Sequence, residues 1–225
     1  MRKLIRRGVP AMLLVALVTG CSSDSDSGSD SGPGSGSDRK GADGADAAAS
    51  PAHDASKTAE KGETIGAAGS PCALPVSFAL AAKWTAEAVE SDAAADAALA
   101  ELARQGPVEM ACEIDAKPAG NIGYLRVWTA DTTDSTPREV LEAFVAADKT
   151  AGDAEYQETK AGSLPAAEVG YITTSEVLDE SKKERALAVT TPKGVALIHL
   201  GGLDSGEHDA MLPAFELARK TLRAN

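Results

Sequence analysis

Residues 195–200 read Val195-Ala196-Leu197-Ile198-His199-Leu200, and both alternate sets, Val195/Leu197/His199 and Ala196/Ile198/Leu200, are largely apolar. Successive side chains of a strand point to opposite faces of its sheet. A strand that is apolar on both sides is covered on both sides, so helices are expected on each face. Thr191-Pro192-Lys193-Gly194 is a tight turn leading back to a strand over 185–191. Before it, residues 167–178 and 155–160 read as two more strands, antiparallel and consecutive, with Asp179-Glu180-Ser181-Lys182-Lys183-Glu184 as a charged loop.

Two helices supply the covering layers. Thr136-Pro137-Arg138-Glu139 places a hydroxyl at the cap, proline at the first helical position and a glutamate able to bond back to the cap amide. The helix that follows, about 137–150, carries the stripe Val140, Leu141, Phe144 and Val145. The last helix, about 207–223, presents Met211, Leu212, Phe215, Ala218 and Leu222 at helical spacing, with Pro213 kinking it or marking its first turn.

The N-terminal half of the domain is read the same way. Strands are expected at 76–80 and 84–88, then an alanine-rich helix over 91–104 that ends at Gln105-Gly106-Pro107. Val108, Met110, Cys112 and Ile114 should face one way, and Glu109, Glu113 and Asp115 the other. Lys117-Pro118-Ala119-Gly120-Asn121 turns the chain into a strand over 122–129, with Tyr124 and Trp128 on one face and Leu125 and Val127 on the opposite one. The sum is an α+β fold, an antiparallel sheet sandwiched between helices.

The N-terminus states an address. Arg2, Lys3, Arg6 and Arg7 precede the apolar run Ala11-Met12-Leu13-Leu14-Val15-Ala16-Leu17-Val18, and Thr19-Gly20-Cys21 follows. Basic, apolar and small residues in that order mark an export signal over 1–20. Eight apolar residues rise only about 12 Å as a helix, too little to cross a bilayer. Val18-Thr19-Gly20-Cys21 resembles a bacterial lipobox, whose cysteine thiol takes a diacylglycerol and becomes the first mature residue. Thr19-Gly20 also suits an ordinary cleavage site, but the polar run from Ser22 favours an anchored tether. Arg6-Arg7 is a weak match to twin-arginine export, since Gly8-Val9-Pro10 departs from that signal.

Residues 21–70 read as the lipidated cysteine and a disordered Ser/Asp/Gly/Ala tether, because almost nothing there could be buried to offset the entropy of ordering. A flexible chain of about 49 residues has an end-to-end distance on the order of 40 Å. Residues 71–225 then form one globular domain of about 155 residues, long enough for an ordinary core. The formal charge is -12, and loss of residues 1–20 removes the four basic groups named above and no acidic one, which makes it -16. Such a surface repels nucleic acid and anionic headgroups.

With Cys21 acylated, Cys72 and Cys112 remain. An even number in an oxidising compartment points to a disulfide closing a loop of about 41 residues. Two separate buried thiols are the alternative.

Chemistry is otherwise sparse. His53 falls in the tether, His199 in a strand and His208 at a helix start. A metal held by His199 and His208 with Asp204, Glu207 or Asp209 competes with a simpler account, acids favouring a helix N-terminus. Ser205 beside Asp204 and near His208 lacks the Gly-x-Ser-x-Gly turn, and Gly201-Gly202 lacks a phosphate-loop context. Trp84, Trp128, Tyr124 and Tyr171 read as packing aromatics rather than a sugar platform. No catalytic residue, metal ligand or cofactor site is assigned.

Several short patterns carry a family resemblance. Leu74-Pro75-Val76-Ser77-Phe78 with Lys83-Trp84, Leu164-Pro165-Ala166-Ala167-Glu168-Val169 and Met211-Leu212-Pro213-Ala214-Phe215 resemble the actinobacterial lipoproteins of the LpqN and LpqT type over roughly residues 72–223. The resemblance implies a PsbP-like α/β/α sandwich and a binding or accessory role at a surface, and it brings no catalytic residues. The expected function is a non-enzymatic binding module on the extracytoplasmic face of the cell membrane, anchored through Cys21 and acting on a cell-envelope protein. The alternative is a carrier of a small apolar or lipid ligand held between sheet and helix.

Overall fold

A computed structural model describes residues 58–89, 103–132 and 134–225. The export signal, Cys21, His53, most of the tether and nearly all of the helix expected over 91–104 lie outside the described residues.

The described chain runs β1 (Lys61–Ile65), β2 (Val76–Ala81), β3 (Thr85–Ala88), β4 (Arg104–Gln105), β5 (Val108–Asp115), a 3-10 turn (Lys117–Ala119), β6 (Gly123–Ala130), α1 (Pro137–Ala147), β7 (Ala151–Ala161), β8 (Leu164–Ser175), β9 (Glu180–Thr191), β10 (Gly194–Gly202), α2 (Ser205–Thr221) and β11 (Arg223–Ala224). An eight-stranded sheet has the order β3-β5-β6-β10-β9-β8-β7, with β4 paired to β5, and β1-β2-β11 form a second sheet. Every pairing between these strands is antiparallel.

The central strand behaves as its composition requires. All nine residues of β10 are buried. Val195 and Leu197 join Trp128, Ala186, Ala188, Val169 and the α1 residues Leu141 and Phe144 in one apolar cluster. Ala196, Ile198 and Leu200 join Leu125, Val127, Leu187, Val189 and the α2 residues Met211 and Phe215 in the other, with Phe78 and Leu80 of β2. The fold is therefore α+β, with α1 on one face of the sheet and α2 plus the small sheet on the other.

The helix termini follow from local chemistry. Thr136 accepts a hydrogen bond from the Glu139 amide, and the Glu139 carboxylate accepts one from the Thr136 amide at 2.7 Å. Those bonds to Thr136 hold the Glu139 carboxyl below the usual carboxylate range. Asp204 caps α2 by accepting from the Glu207 amide at 2.8 Å, so that helix starts at Ser205 and Pro213 lies inside it.

Five expectations need correction. The tether does not extend to residue 70: β1 pairs with β2, and Ile65 is fully buried. Gly66, at φ +100°, makes this possible, since a Cβ there would fall 1.9 Å from the Val76 carbonyl oxygen. Arg104 and Gln105 form a strand rather than a helix end, because Gly106 at φ 57° and Pro107 make a two-residue turn that pairs Gln105 with Val108. The charged segment 180–184 extends β9 instead of looping: Lys182 is tied to Glu184 on one face and Lys183 to Asp209 on the other. β8 ends at Ser175, which leaves Val177 and Leu178 in the turn.

The last correction concerns β5. Met110 pairs with Trp128 while Cys112 pairs with Val127, so Ala111 is an extra residue, a β-bulge. The bulge turns Cys112 and Ile114 to the α2 face, whereas Val108 and Met110 stay on the α1 face. The four do not share one side. Cys72 lies in the α2-face cluster and is disulfide-bonded to Cys112, with Cα atoms 5.9 Å apart.

Candidate functional site

One end of the large sheet collects the termini of five strands. Gly202 of β10 pairs with Gly123 of β6, Gly201 with Glu184 of β9, Ser175 of β8 with Glu180, and Thr173 with Ala151 of β7. The first residue of α2 follows three positions after Gly202. A groove of about 1040 Å³ opens here, lined by Thr173, Ser175, Leu178, Lys182, Leu203 and Ser205 among others.

Four large apolar side chains are exposed among the described residues: Ile122 at 55%, Val177 at 93%, Leu178 at 66% and Leu203 at 62%. The topology puts all four at this end. Ile122 precedes β6, Leu203 follows β10, and Val177 and Leu178 occupy the β8–β9 turn. Scattered exposed leucines are ordinary, but exposed apolar residues gathered at one place mark an interaction surface.

Three of them are held by backbone hydrogen bonds. The Leu203 amide donates to the Ile122 carbonyl at 2.9 Å, and the Ile122 amide donates to Glu207 Oε2 at 3.0 Å. At the turn, the Leu178 amide donates to Ser175 Oγ at 3.3 Å, the Thr174 and Ser181 hydroxyls are 2.9 Å apart, and Asp179 adopts φ 52°. Aspartate tolerates that left-handed conformation better than branched residues.

Behind the groove wall a polar chain runs inward on the α1 face. Lys182 Nζ donates to the Gly202 carbonyl at 2.9 Å and pairs with Glu184 Oε1 at 2.9 Å. Glu184 Oε2 is 3.0 Å from His199 Nε2, which is 3.2 Å from the Tyr171 hydroxyl. The His199 ring packs edge-on against Phe144. Burial alone would raise the Glu184 carboxyl, but the hydrogen bonds and charges of His199 and Lys182 outweigh it and hold it below the usual range. Tyr171 is pushed far up by burial, with Glu184 adding to the effect, so its hydroxyl keeps its proton. His199 Nε2 is shared between Glu184 and Tyr171, while the buried His199 Nδ1 has no hydrogen-bond partner.

His208 lies on the opposite face, on α2. Its Nδ1 is 3.2 Å from Asp209, and Asp209 also pairs with Lys183 at 2.7 Å. Burial lowers the His208 pKa despite Asp209. His199 and His208 therefore belong to separate networks. Asp204 and Glu207 serve as the α2 cap and as the anchor of Ile122, and Ser205 Oγ accepts from the Lys183 amide at 3.1 Å. No cluster of three metal-ligating side chains forms among the described residues. Trp128 packs on Phe144, Trp84 is buried, and Arg126 sits 3.7 Å over the Tyr124 ring.

Reading the sequence missed the groove because residues 167–178 pass as one alternating strand. The available signal was Glu176-Val177-Leu178-Asp179, two branched apolar residues bracketed by acids at a strand connection, where polar residues are usual.

A family model described as an uncharacterised lipoprotein matches residues 42–222. The solution structure of cyanobacterial PsbP (CyanoP) from Synechocystis sp. PCC 6803 is similar over 67% of this chain and 87% of that chain, at 11% identity and a TM-score of 0.46. No curated protein matches the chain.

Proposed function

The chain belongs to the uncharacterised lipoprotein family, and from that premise we propose that it is a non-enzymatic binding module, held on the extracytoplasmic face of the cell membrane by acylated Cys21, whose envelope protein partner docks in the sheet-end groove. A position among the actinobacterial lipoproteins of the LpqN and LpqT type is part of this reading, supported by the patterns at residues 74–78, 164–169 and 211–215.

The gathering of Ile122, Val177, Leu178 and Leu203 at one end of the sheet carries the proposal. At about 1040 Å³ the groove reaches the upper size of small-molecule pockets, and its rim is open enough for a polypeptide segment. A ligand held between sheet and helix finds less support, since Phe144 and Leu141 on one face and Phe215 and Met211 on the other fill those interfaces.

Within the folded domain, the groove lies at the end of α2 far from Thr58, the first described residue. Thr58 bonds to Lys220 in the last turn of α2, whereas the groove adjoins Ser205 in its first turn. Fifteen helical residues separate the two by about 22 Å.

Site-specific photo-crosslinking in the native cell tests this. Probes at Leu178 and Leu203 should each capture the same single protein, and a probe at Glu87 on β3 should not. No capture at the groove positions, or a small molecule co-purifying with the intact protein in native mass spectrometry, would sink the docking reading.

A further inference from the structure

The charge around the groove narrows what can enter it. The β8–β9 turn reads Ser175-Glu176-Val177-Leu178-Asp179-Glu180, so three carboxylates flank the two most exposed large apolar side chains among the described residues. Glu176, Asp179 and Glu180 have no ion-pair partner among the described residues, although Lys182 and Lys183 stand two and three positions further on. Both lysines are committed elsewhere, Lys182 to Glu184 and the Gly202 carbonyl, Lys183 to Asp209. Across the groove, Leu203 is followed by Asp204, whose carboxylate caps α2. The rim thus keeps its negative charge, and its cations are neutralised from within.

We infer that the groove accepts a cationic amphipathic segment of the partner protein, one that carries lysine or arginine beside aliphatic residues. This rests on the docking reading above and adds the chemistry of the occupant. Leu178 and Leu203, which line the groove, provide the apolar contact, with Val177 and Ile122 exposed beside them in sequence, and the three turn carboxylates pair with the cations around it. An anionic segment would meet the unpaired carboxylates and a strongly acidic chain. Like charges brought together at an interface suppress the wrong partner more strongly than matched charges reward the right one.

Fluorescence anisotropy on the full chain carrying Cys21→Ser, which leaves no acyl chain to capture a probe, provides the test. One labelled probe is a decapeptide alternating lysine and leucine, and the other alternates glutamate and leucine. The lysine probe should bind, and the glutamate probe at least about tenfold more weakly. Joint Glu176→Gln, Asp179→Asn and Glu180→Gln should weaken the lysine probe about tenfold and flatten its salt dependence. Joint Glu60→Gln, Glu63→Gln and Glu158→Gln, exposed carboxylates on or beside β1 and β7, should leave it unchanged. Equal weakening by both triple variants would reduce the effect to net charge and overturn the inference. Weakening by joint Leu178→Ser and Leu203→Ser but not by the turn triple would leave the groove standing and remove its preference for cations. If neither set matters, both readings fall.

Discussion

Cys112 meets Cys72 on the α2 face of the sheet although Met110, two positions before it, faces α1. Strict alternation would place Met110 and Cys112 on the same side. The extra residue, Ala111, reverses the face between them, so the disulfide depends on a backbone irregularity as much as on the thiols.

The bond therefore has two separable tests. Deleting Ala111 should leave Cys72 and Cys112 as titratable free thiols, because Cys112 would then share the face of Met110. Joint Cys72→Ala and Cys112→Ala keeps the strand but opens a loop of 40 residues, which should cost about 4 kcal/mol in the chain-entropy picture. Chemical denaturation of the two proteins measures it, and a loss under about 1 kcal/mol would contradict the structural role.

β1 belongs to the folded domain, so Ile65→Ala should cost about 2 to 5 kcal/mol, as for other fully buried isoleucines. Gly66→Ala should destabilise as well, since its Cβ would overlap the Val76 carbonyl. Unchanged melting temperatures for both would return residues 61–70 to the tether.

Acid should weaken the fold in two stages. The His208 pKa is lowered by burial, so the unfolded chain binds its proton first, and stability is lost as pH falls below 6.5 toward the lower folded value. For Glu184, burial opposes ionisation but His199 and Lys182 prevail, and its folded pKa lies below 4.5. Its contribution is present above pH 4.5 and is lost as pH falls through the folded value. Urea titrations between pH 8 and pH 3 should show the first loss absent in His208→Gln and the second reduced in Glu184→Gln. Parallel curves for wild type and both variants would refute the assignment.

If Cys21 is acylated as proposed, Cys21→Ser should move the protein from the membrane to the soluble extracytoplasmic fraction without altering its melting temperature, because the first strand of the folded domain begins only at Lys61. Two acyl chains hold a protein stably where one does not. Retention of the variant in washed membranes would remove the lipid anchor.

Much of the fold is legible locally. The capping box at Thr136 and Glu139, the stripe Val140, Leu141, Phe144 and Val145, and the doubly apolar β10 each report their environment through near neighbours in sequence. Periodicity fails where a distant strand decides. The run 180–184 looks like a loop because its charges are dense, yet Lys182, Lys183 and Glu184 are satisfied by His199, Gly202 and Asp209. The groove is harder still to read, since Ile122, Leu178 and Leu203 come from three separate connections.

The sequence by itself determined the basic, apolar, small order of the N-terminus, the acidic charge, and an antiparallel sheet that helices must cover on both sides. Each is a property of composition or short-range spacing, which burial and hydrogen bonding translate directly into local structure. Only the tertiary structure decided which way Cys112 faces and which apolar residues stay uncovered. A bulge is defined by the register of the neighbouring strand, and a groove by where five strands end, and neither is a quantity the chain carries along its own length.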